Sequence, residues 1–280
     1  MICTEVHEFA KRVLFGETIE DKLTSPREII WQKTDRAHSC LPLPKEPGRA
    51  PNLKFSSETI KFPRKASLGD KQQKAKALHF FANHELLAIE MLAAALLIFP
   101  SQTDEEIGFK KTLVATLADE QRHFSLYCQR MNDFGVSFGD FPINDFFWDK
   151  MQFVQTRSEF SSLLSLTFES ANLDFSLYYS KLFRSLGDES TAKILDEVYK
   201  DEIRHVGAGV HWMNQWRGDK SLWHYYLENL PQLVTPARAK GMEFDHNSRV
   251  RAGLDSDFIE LLEHYRDEFA ITQRREWKNT

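Results

Sequence analysis

Cysteine is scarce in this chain of 280 residues. Its three cysteines are Cys3, Cys40 and Cys128, and no two of them stand in a CxxC spacing. The sequence therefore lacks the thiolate pairs of structural zinc sites, iron–sulfur clusters and rubredoxin-type irons, and it lacks a disulfide framework. An odd number of cysteines, together with the polar start of the chain, predicts a protein of the reducing cytoplasm.

Long hydrophobic runs are also missing. The longest, residues 91–99 (MLAAALLIF), has about half of the roughly 20 residues that span a membrane, so we expect no membrane partner. The chain also has no excess of positive charge, because it contains 36 Lys and Arg residues and 41 Asp and Glu residues. The resulting net charge of −5 argues against a protein that coats nucleic acid or an anionic membrane surface.

Fingerprints of several common enzyme classes do not occur. The sequence has no glycine-rich dinucleotide motif, no P-loop, and no Ser-His-Asp or Cys-His arrangement of a hydrolase. Electrons for any redox reaction would therefore come from another protein or from the substrate itself. The composition is that of an ordinary globular protein, with 42% hydrophobic and 28% charged residues. The hydrophobic fraction is enough for a sizeable core.

The first quarter of the chain is rich in proline. Residues 5–15 predict a short amphipathic helix, and the prolines after it interrupt any regular pattern: Pro26, Pro42, Pro44, Pro47, Pro51 and Pro63. We interpret residues 1–70 as an N-terminal helix and an extended arm that packs on the body of the protein. The arm has five candidate apolar anchors: Ile29, Ile30, Trp31, Leu53 and Phe55. A disordered linker is the alternative.

Helical patterns dominate from residue 71 onward. Apolar positions at helical spacing predict four long helices, with no strand pattern: 71–99, 103–132, 150–185 and 189–216. Short loops join the first pair and the last pair, and a long connection joins the two pairs. This order predicts an all-α, ferritin-like four-helix bundle with one long crossover at residues 71–217. Residues 218–280 then form a C-terminal extension that ends in one further helix.

One short string occurs twice in the chain. DEQRH at residues 119–123 and DEIRH at residues 201–205 repeat the pattern DE-x-RH, once in each half of the predicted bundle. Within each copy the Glu and the His are three residues apart, so both project from one helix face and can reach the same metal ion. A single ExxH is weak evidence. Two copies, each on the second helix of a hairpin, predict metal ligands: Glu120, His123, Glu202 and His205.

The other helix of each hairpin supplies a pair of acidic residues. HELLAIE contains Glu85 and Glu90, and the matching FESANLD contains Glu169 and Asp174. In an antiparallel hairpin, residues at equal distance from the turn lie side by side on the two helices. Glu85 and Glu120 are at about equal distance from the predicted turn. We therefore predict Glu85 as a ligand, and Glu169 by its matching position. Glu90 and Asp174 stay open as alternatives, because the second turn suits Asp174 about as well.

The predicted ligand set is four carboxylates and two imidazoles. Such hard ligands suit iron or manganese, and carboxylates can bridge two ions. We therefore predict a dinuclear iron cofactor, either two iron ions (Fe/Fe) or manganese with iron (Mn/Fe). Next to the ligands, Asp119 and Asp201 could accept hydrogen bonds from the second nitrogen of a ligand histidine. Arg122 and Arg204 could pair with these aspartates across the bundle and fix the rings in place.

These residues resemble the ferritin-like superfamily, which includes rubrerythrins, bacterioferritins, ribonucleotide reductase small subunits, acyl desaturases and bacterial multicomponent monooxygenases. The shared order is E…ExxH…E…ExxH, here Glu85, Glu120, His123, Glu169, Glu202 and His205. Several stretches, among them RVLFGETIEDKL, LADEQRHFSLYCQRM and LTFESANLD, resemble more narrowly a bacterial ferritin-like family known as domain of unknown function 455. The resemblance covers residues 8–265 and implies the fold and the metal ligands, but no substrate.

The resemblance favours an O2-activating oxidase or monooxygenase that acts on an unidentified small molecule and receives electrons from a donor protein. Iron handling or peroxide removal is the alternative, although the arm and the extension differ from compact, cage-forming ferritins. The tRNA-hydroxylating branch of the superfamily leaves an RNA substrate open, with four candidate phosphate contacts: Arg238, Lys240, Arg249 and Arg251. A metal-free bundle held by Glu–His ion pairs is a further alternative, but its four buried carboxylates would repel one another. We expect a monomer or a homodimer.

Overall fold

The computed structural model describes residues 4–26, 29–31, 33, 42–58 and 60–267. Helices dominate these residues, which confirms the predicted all-α class. No strand was predicted, yet Thr4–Glu5 and Ile29–Ile30 form a parallel ladder of two residues each. A ladder this short leaves no alternating pattern in the sequence. The chain divides into two compact units, residues 1–152 and 153–280.

A long helical hairpin forms the centre of the first unit. The unit contains α1 (Val6–Phe15), α2 (Ile19–Lys22), α3 (Lys71–Ile98), α4 (Asp104–Asn132) and α5 (Phe146–Met151). Helices α3 and α4 pack against each other, and α1 packs on α3. The Asp70 side chain caps the first turn of α3, and Thr103 and Glu106 form a capping box that starts α4.

Helix α3 is the apolar core helix of this unit. It is long and apolar enough to cross a membrane by length and composition, with a mean hydropathy of 1.6 over an 18-residue window. However, 83% of that window is buried inside the protein. This burial is typical of a core helix, because the apolar side chains already contact other parts of the protein.

The proline-rich arm packs on the first unit where the structure describes it. Leu53 is buried, and the guanidinium of Arg49 lies 4.4 Å from the ring centre of Phe55. The indole nitrogen of Trp148 donates a hydrogen bond to the carbonyl of Lys45 at 2.9 Å. These contacts tie residues 42–58 to other parts of the first unit.

The second unit contains a second helical hairpin and the C-terminal helices. Its helices are α6 (Arg157–Leu163), a π-helix (Leu164–Glu169), α7 (Ser170–Ser185), α8 (Glu189–Trp216), α9 (Leu222–Glu228), α10 (His246–Arg251) and α11 (Ser256–His264). The predicted helix at 150–185 is therefore divided. Helix α5 ends at Met151, and a capping box of Thr156 and Glu159 starts α6.

The C-terminal helices enclose an aromatic core. Helices α9 and α10 pack on α8, and the rings of Trp223, Tyr226 and Phe258 contact one another. Helix α11 ends at His264, where the ammonium of Lys240 donates to three backbone carbonyls: Leu262, Glu263 and Tyr265. Burial lowers the pKa of Lys240 to about 8. The rest of the predicted last helix, from residue 268, lies outside the described residues.

The predicted division into arm, bundle and extension differs from the two compact units. Helix α1 packs on α3 within the first unit, and α9 packs on α8 within the second. Helices from both flanking segments therefore pack on hairpin helices. The boundaries predicted after residues 70 and 217 stay predictions.

Gly209 marks a close approach between α8 and the π-helix. A Cβ at this position would lie 2.4 Å from the Cβ of Ser165. We expect overpacking in Gly209→Ala to lower the free energy of unfolding by about 1–3 kcal/mol. The higher helix propensity of alanine offsets about 1 kcal/mol of this loss. Urea denaturation measures the change. Gly69→Ala is the control, because nothing lies within 4 Å of a Cβ there, and equal midpoints for the two variants would contradict the prediction.

Candidate metal-binding residues

Three predicted ligands come together in the first unit. Glu85 projects from α3, and Glu120 and His123 project from α4 one turn apart. His123 Nδ1 lies 3.5 Å from Glu120 Oε2 and 3.8 Å from Glu85 Oε2. All three side chains are buried, and one ligand atom from each lies within 4.8 Å of the others. We call these residues the first-unit group.

The first-unit group is electrostatically costly without a cation. Burial raises the pKa of Glu85 well above its usual range, and the neighbouring Glu120 carboxylate raises it further. A hydrogen bond with His123 acts in the opposite direction. Two carboxylates in a dry interior cost free energy unless protons or a cation neutralise them. The arrangement therefore offers both the donor atoms and the negative charge that a divalent cation needs.

The matching three residues come together in the second unit. Glu169 is the last residue of the π-helix, and Glu202 and His205 lie one turn apart on α8. His205 Nδ1 lies 3.5 Å from Glu202 Oε2, as His123 does from Glu120. Glu169 and His205 offer ligand atoms within 4.8 Å of each other, and all three side chains are buried. We call these residues the second-unit group.

Glu90, the alternative ligand on α3, is held by cations of the chain itself. Arg49 donates to both of its oxygens, from Nη2 to Oε2 at 2.6 Å and from Nε to Oε1 at 3.1 Å. Lys22 Nζ lies 3.1 Å from Oε1, and all three side chains are almost fully buried. The Glu90 carboxylate is thus neutralised within the protein. Glu90 therefore takes part in buried ion pairs with Arg49 and Lys22.

Asp174, the alternative on α7, is engaged in the same way. Arg249 donates to both of its oxygens at 2.7 and 2.9 Å, and both side chains are fully buried. The backbone amides of Gly241 and Asp245 donate to the same carboxylate, each at 2.8 Å. This arrangement corrects the phosphate contact considered for Arg249, because a guanidinium buried against Asp174 cannot reach a nucleic acid. Lys240 is likewise engaged by backbone carbonyls.

The charged residues beside the ExxH ligands form ion pairs within their own helices. Arg122 Nη2 donates to Asp119 Oδ1 at 2.8 Å on α4, and Arg204 Nη1 lies 2.7 Å from Asp201 Oδ1 on α8. Both pairs join residues three positions apart, which are neighbours on a helix surface. Pairing of these residues across the bundle stays a prediction.

A protein-family model matches residues 9–260, which is most of the chain. The family is described as protein of unknown function, DUF455. The chain belongs to the DUF455 family. The resemblance inferred from the motifs is thereby confirmed for this family, whereas membership of the ferritin-like superfamily stays a prediction.

A curated relative of this DUF455 protein comes from Haemophilus influenzae and is described as an uncharacterized protein. The two are 28% identical over 196 residues, which cover 68% of this chain and 64% of the relative. The chain thus spans less than two thirds of the relative's length. No solved structure matches the chain. These comparisons establish kinship but name neither an activity nor a substrate.

Sequence reasoning missed a hydrogen bond to Glu202, a candidate metal ligand of this DUF455 chain. Asn172 Nδ2 on α7 donates to Glu202 Oε1 at 2.7 Å. Asn172 lies one turn after Glu169, between two acidic residues that drew attention as candidate ligands. The only signal in the sequence was the amide side chain on the helix face that carries Glu169.

Sequence reasoning also missed the π-helix that ends at Glu169. Its wider turn leaves backbone groups to be satisfied, and Thr167 Oγ1 donates to the carbonyl of Ser162 at 2.7 Å. The same hydroxyl hydrogen-bonds with the buried Tyr226 hydroxyl at 2.9 Å. Tyr226 comes from α9, so a residue of the C-terminal extension supports the segment that carries Glu169. No local pattern in residues 164–169 distinguishes a π-helix from an α-helix.

Proposed function

We propose that this DUF455 protein has a ferritin-like fold, holds two metal ions with its two buried Glu–Glu–His groups, and uses them to activate O2 as an oxidase or monooxygenase. The observation that carries the proposal is the duplication. Each group consists of two buried carboxylates and one buried imidazole, and the ExxH Glu–His pairs have equal separations of 3.5 Å. Purely structural ion pairs do not require the same three residue types in both units.

The donor atoms of both groups fit such a cofactor. Ligand atoms bound to one ion at about 2.0–2.2 Å lie about 3–4 Å apart. The Glu–His separations of 3.5 and 3.8 Å fall in this range. Carboxylate oxygens and imidazole nitrogens, with no thiolate among them, favour iron or manganese. We therefore propose Fe/Fe or Mn/Fe as the occupants.

The chain's own residues would hold the ions, set their charge and exclude water. Bound iron would supply redox chemistry with O2, and the electrons would originate from the donor protein or the substrate. Glu85, Glu120, Glu169 and Glu202 would hold the cations and balance their charge. His123 and His205 turn Nδ1 toward a carboxylate, so Nδ1 is the proposed ligand atom and Nε2 is left to make an outer hydrogen bond that fixes the ring.

The proposal includes the setting in which the reaction takes place. The scarcity of cysteine favours a cytoplasmic location. The substrate would be a small molecule, and the electrons would come from a donor protein, because the chain has no nucleotide-cofactor fingerprint of its own.

Metal content tests the proposal. Protein expressed with added iron and manganese is expected to carry about two metal ions per chain, as in dinuclear carboxylate proteins. A Glu120→Ala/Glu202→Ala variant is expected to carry almost none, because it loses one carboxylate from each group. The matched control is Glu105→Ala/Glu197→Ala, which removes exposed glutamates from the same two helices and should keep both ions. Elemental analysis of the three purified proteins gives the answer.

The reaction class follows from a second measurement on the loaded protein. A reduced oxidase or monooxygenase consumes O2 without added peroxide. Rapid consumption of peroxide, or assembly into a hollow multimer, would favour peroxide removal or iron storage instead. A folded wild-type protein that binds no metal, and gains no stability when metal is added, would leave the Glu and His residues as structural ion pairs and overturn the proposal.

A further inference from the structure

The two Glu–Glu–His groups have the same ligands but different surroundings. When HELLAIE is aligned with FESANLD, Glu85 matches Glu169 and Ala88 matches Asn172. Asn172 donates to Glu202 from the partner helix of its hairpin. The corresponding position in the first unit is Ala88, whose side chain has no donor. Helix α3 is also a regular α-helix through Glu85, whereas Glu169 ends a π-helix.

The Asn172 amide fixes the orientation of the Glu202 carboxylate. Oε1 accepts the hydrogen bond from Asn172 at 2.7 Å, and Oε2 lies 3.5 Å from His205 Nδ1. The two oxygens therefore have different neighbours. Oε1 binds the amide, and Oε2 lies beside the imidazole that would bind the same ion. A charge-assisted hydrogen bond of this length resists rotation of the carboxylate. Glu202 is thus held with Oε2 beside its partner ligand before any ion arrives.

We propose that Asn172 is a positioning residue that orients Glu202 and thereby strengthens metal binding. This inference rests on the proposed function, because it requires that Glu202 is a metal ligand. A carboxylate held in the binding orientation loses less conformational freedom when an ion binds than one that must first be ordered. Removal of the Asn172 donor is therefore expected to weaken metal binding.

Calorimetric titration of the metal-free protein with Mn²⁺ alone tests the inference. The wild type is expected to bind about two equivalents of Mn²⁺. Asn172→Leu keeps the side-chain volume and removes the donor. It is expected to weaken Mn²⁺ binding about 10-fold, the effect typical of losing an outer hydrogen bond to a metal ligand. Asn172→Ala serves if the leucine variant does not fold, and the same loss is expected.

The matched control is Asn83→Leu. Asn83 has the same amide side chain in a buried position, but its Nδ2 donates to the backbone carbonyl of Asn144 at 3.2 Å and not to a candidate ligand. This variant is expected to lose stability while keeping the Mn²⁺ affinity of the wild type. The visible absorption of bound Co²⁺ provides a second measurement, which should change in the Asn172 variants and stay unchanged in the control.

The outcomes separate this inference from the proposed function. If the wild type binds two ions and the Asn172 variants titrate like it, the positioning role of Asn172 is wrong and the proposed function stands. A wild type that binds no Mn²⁺, Co²⁺ or iron overturns both the proposed function and this inference.

Discussion

Replacing Arg249 with alanine is expected to lower the free energy of unfolding by about 3–5 kcal/mol, the range for breaking a buried ion pair by removing one partner. Asp174 would be left fully buried without its arginine partner, and the donors that remain to it among the described residues are two backbone amides. Arg249 also donates to the carbonyls of Ser170 and Ala239, so the substitution frees buried acceptors as well. Urea denaturation of the metal-free protein, followed by circular dichroism, measures the loss.

Two further variants sharpen this experiment. Arg251→Ala removes an exposed arginine from the same helix and is expected to change stability by less than about 0.5 kcal/mol. The double variant Arg249→Met/Asp174→Leu removes both charges and is expected to recover part of the loss, because no buried charge is then left unpaired. A single variant as stable as the wild type would show that the buried pair contributes nothing to folding.

Replacing Glu85 with glutamine is expected to have opposite effects on the metal-free and the metal-loaded protein. The metal content should fall from about two ions per chain to about one, because the first-unit group loses one of its two carboxylates. Without metal the variant should be more stable than the wild type at neutral pH, since it removes a buried carboxylate that lies beside Glu120. Elemental analysis and thermal denaturation of both forms measure the two effects.

The pH dependence of the metal-free protein provides an independent measurement on the same pair. The pKa of Glu85 is raised in the folded state above its usual value of 4.5, first by burial and then by Glu120. The folded state therefore holds this proton more tightly than the unfolded state does, and the stability it contributes is present at low pH and is lost as the pH rises from 4.5 through the raised pKa. The Glu85→Gln variant should lose less stability over this interval.

A control and a contrary outcome complete the test of Glu85. Glu197→Gln removes an exposed carboxylate from α8 and should follow the wild type in metal content, stability and pH dependence. If Glu85→Gln binds two ions and destabilises the metal-free protein, Glu85 acts as an ordinary structural partner of His123, and Glu85 is then not a ligand.

The helices and the candidate ligands were predictable from the sequence because their signals are local. The predicted helix at 189–216 agrees with α8, and the predicted ends of α3 and α4 fall within one residue of the structure, since proline and capping residues mark them. The repeated DE-x-RH string placed Glu and His one turn apart on each helix. A spacing of three residues determines that geometry wherever the helix forms.

Only the tertiary structure decided which carboxylates are engaged by arginine and which lie beside histidine. The sequence left Asp174 open as an alternative to Glu169, and Arg249, which binds Asp174, lies far along the chain. Arg49 similarly reaches Glu90 from the proline-rich arm. No periodicity relates these partners, because long-range pairs form where burial and packing bring side chains together and not where a helical repeat places them. For the same reason, the sequence did not predict the hydrogen bond from Asn172 to Glu202 or the π-helix that Tyr226 contacts.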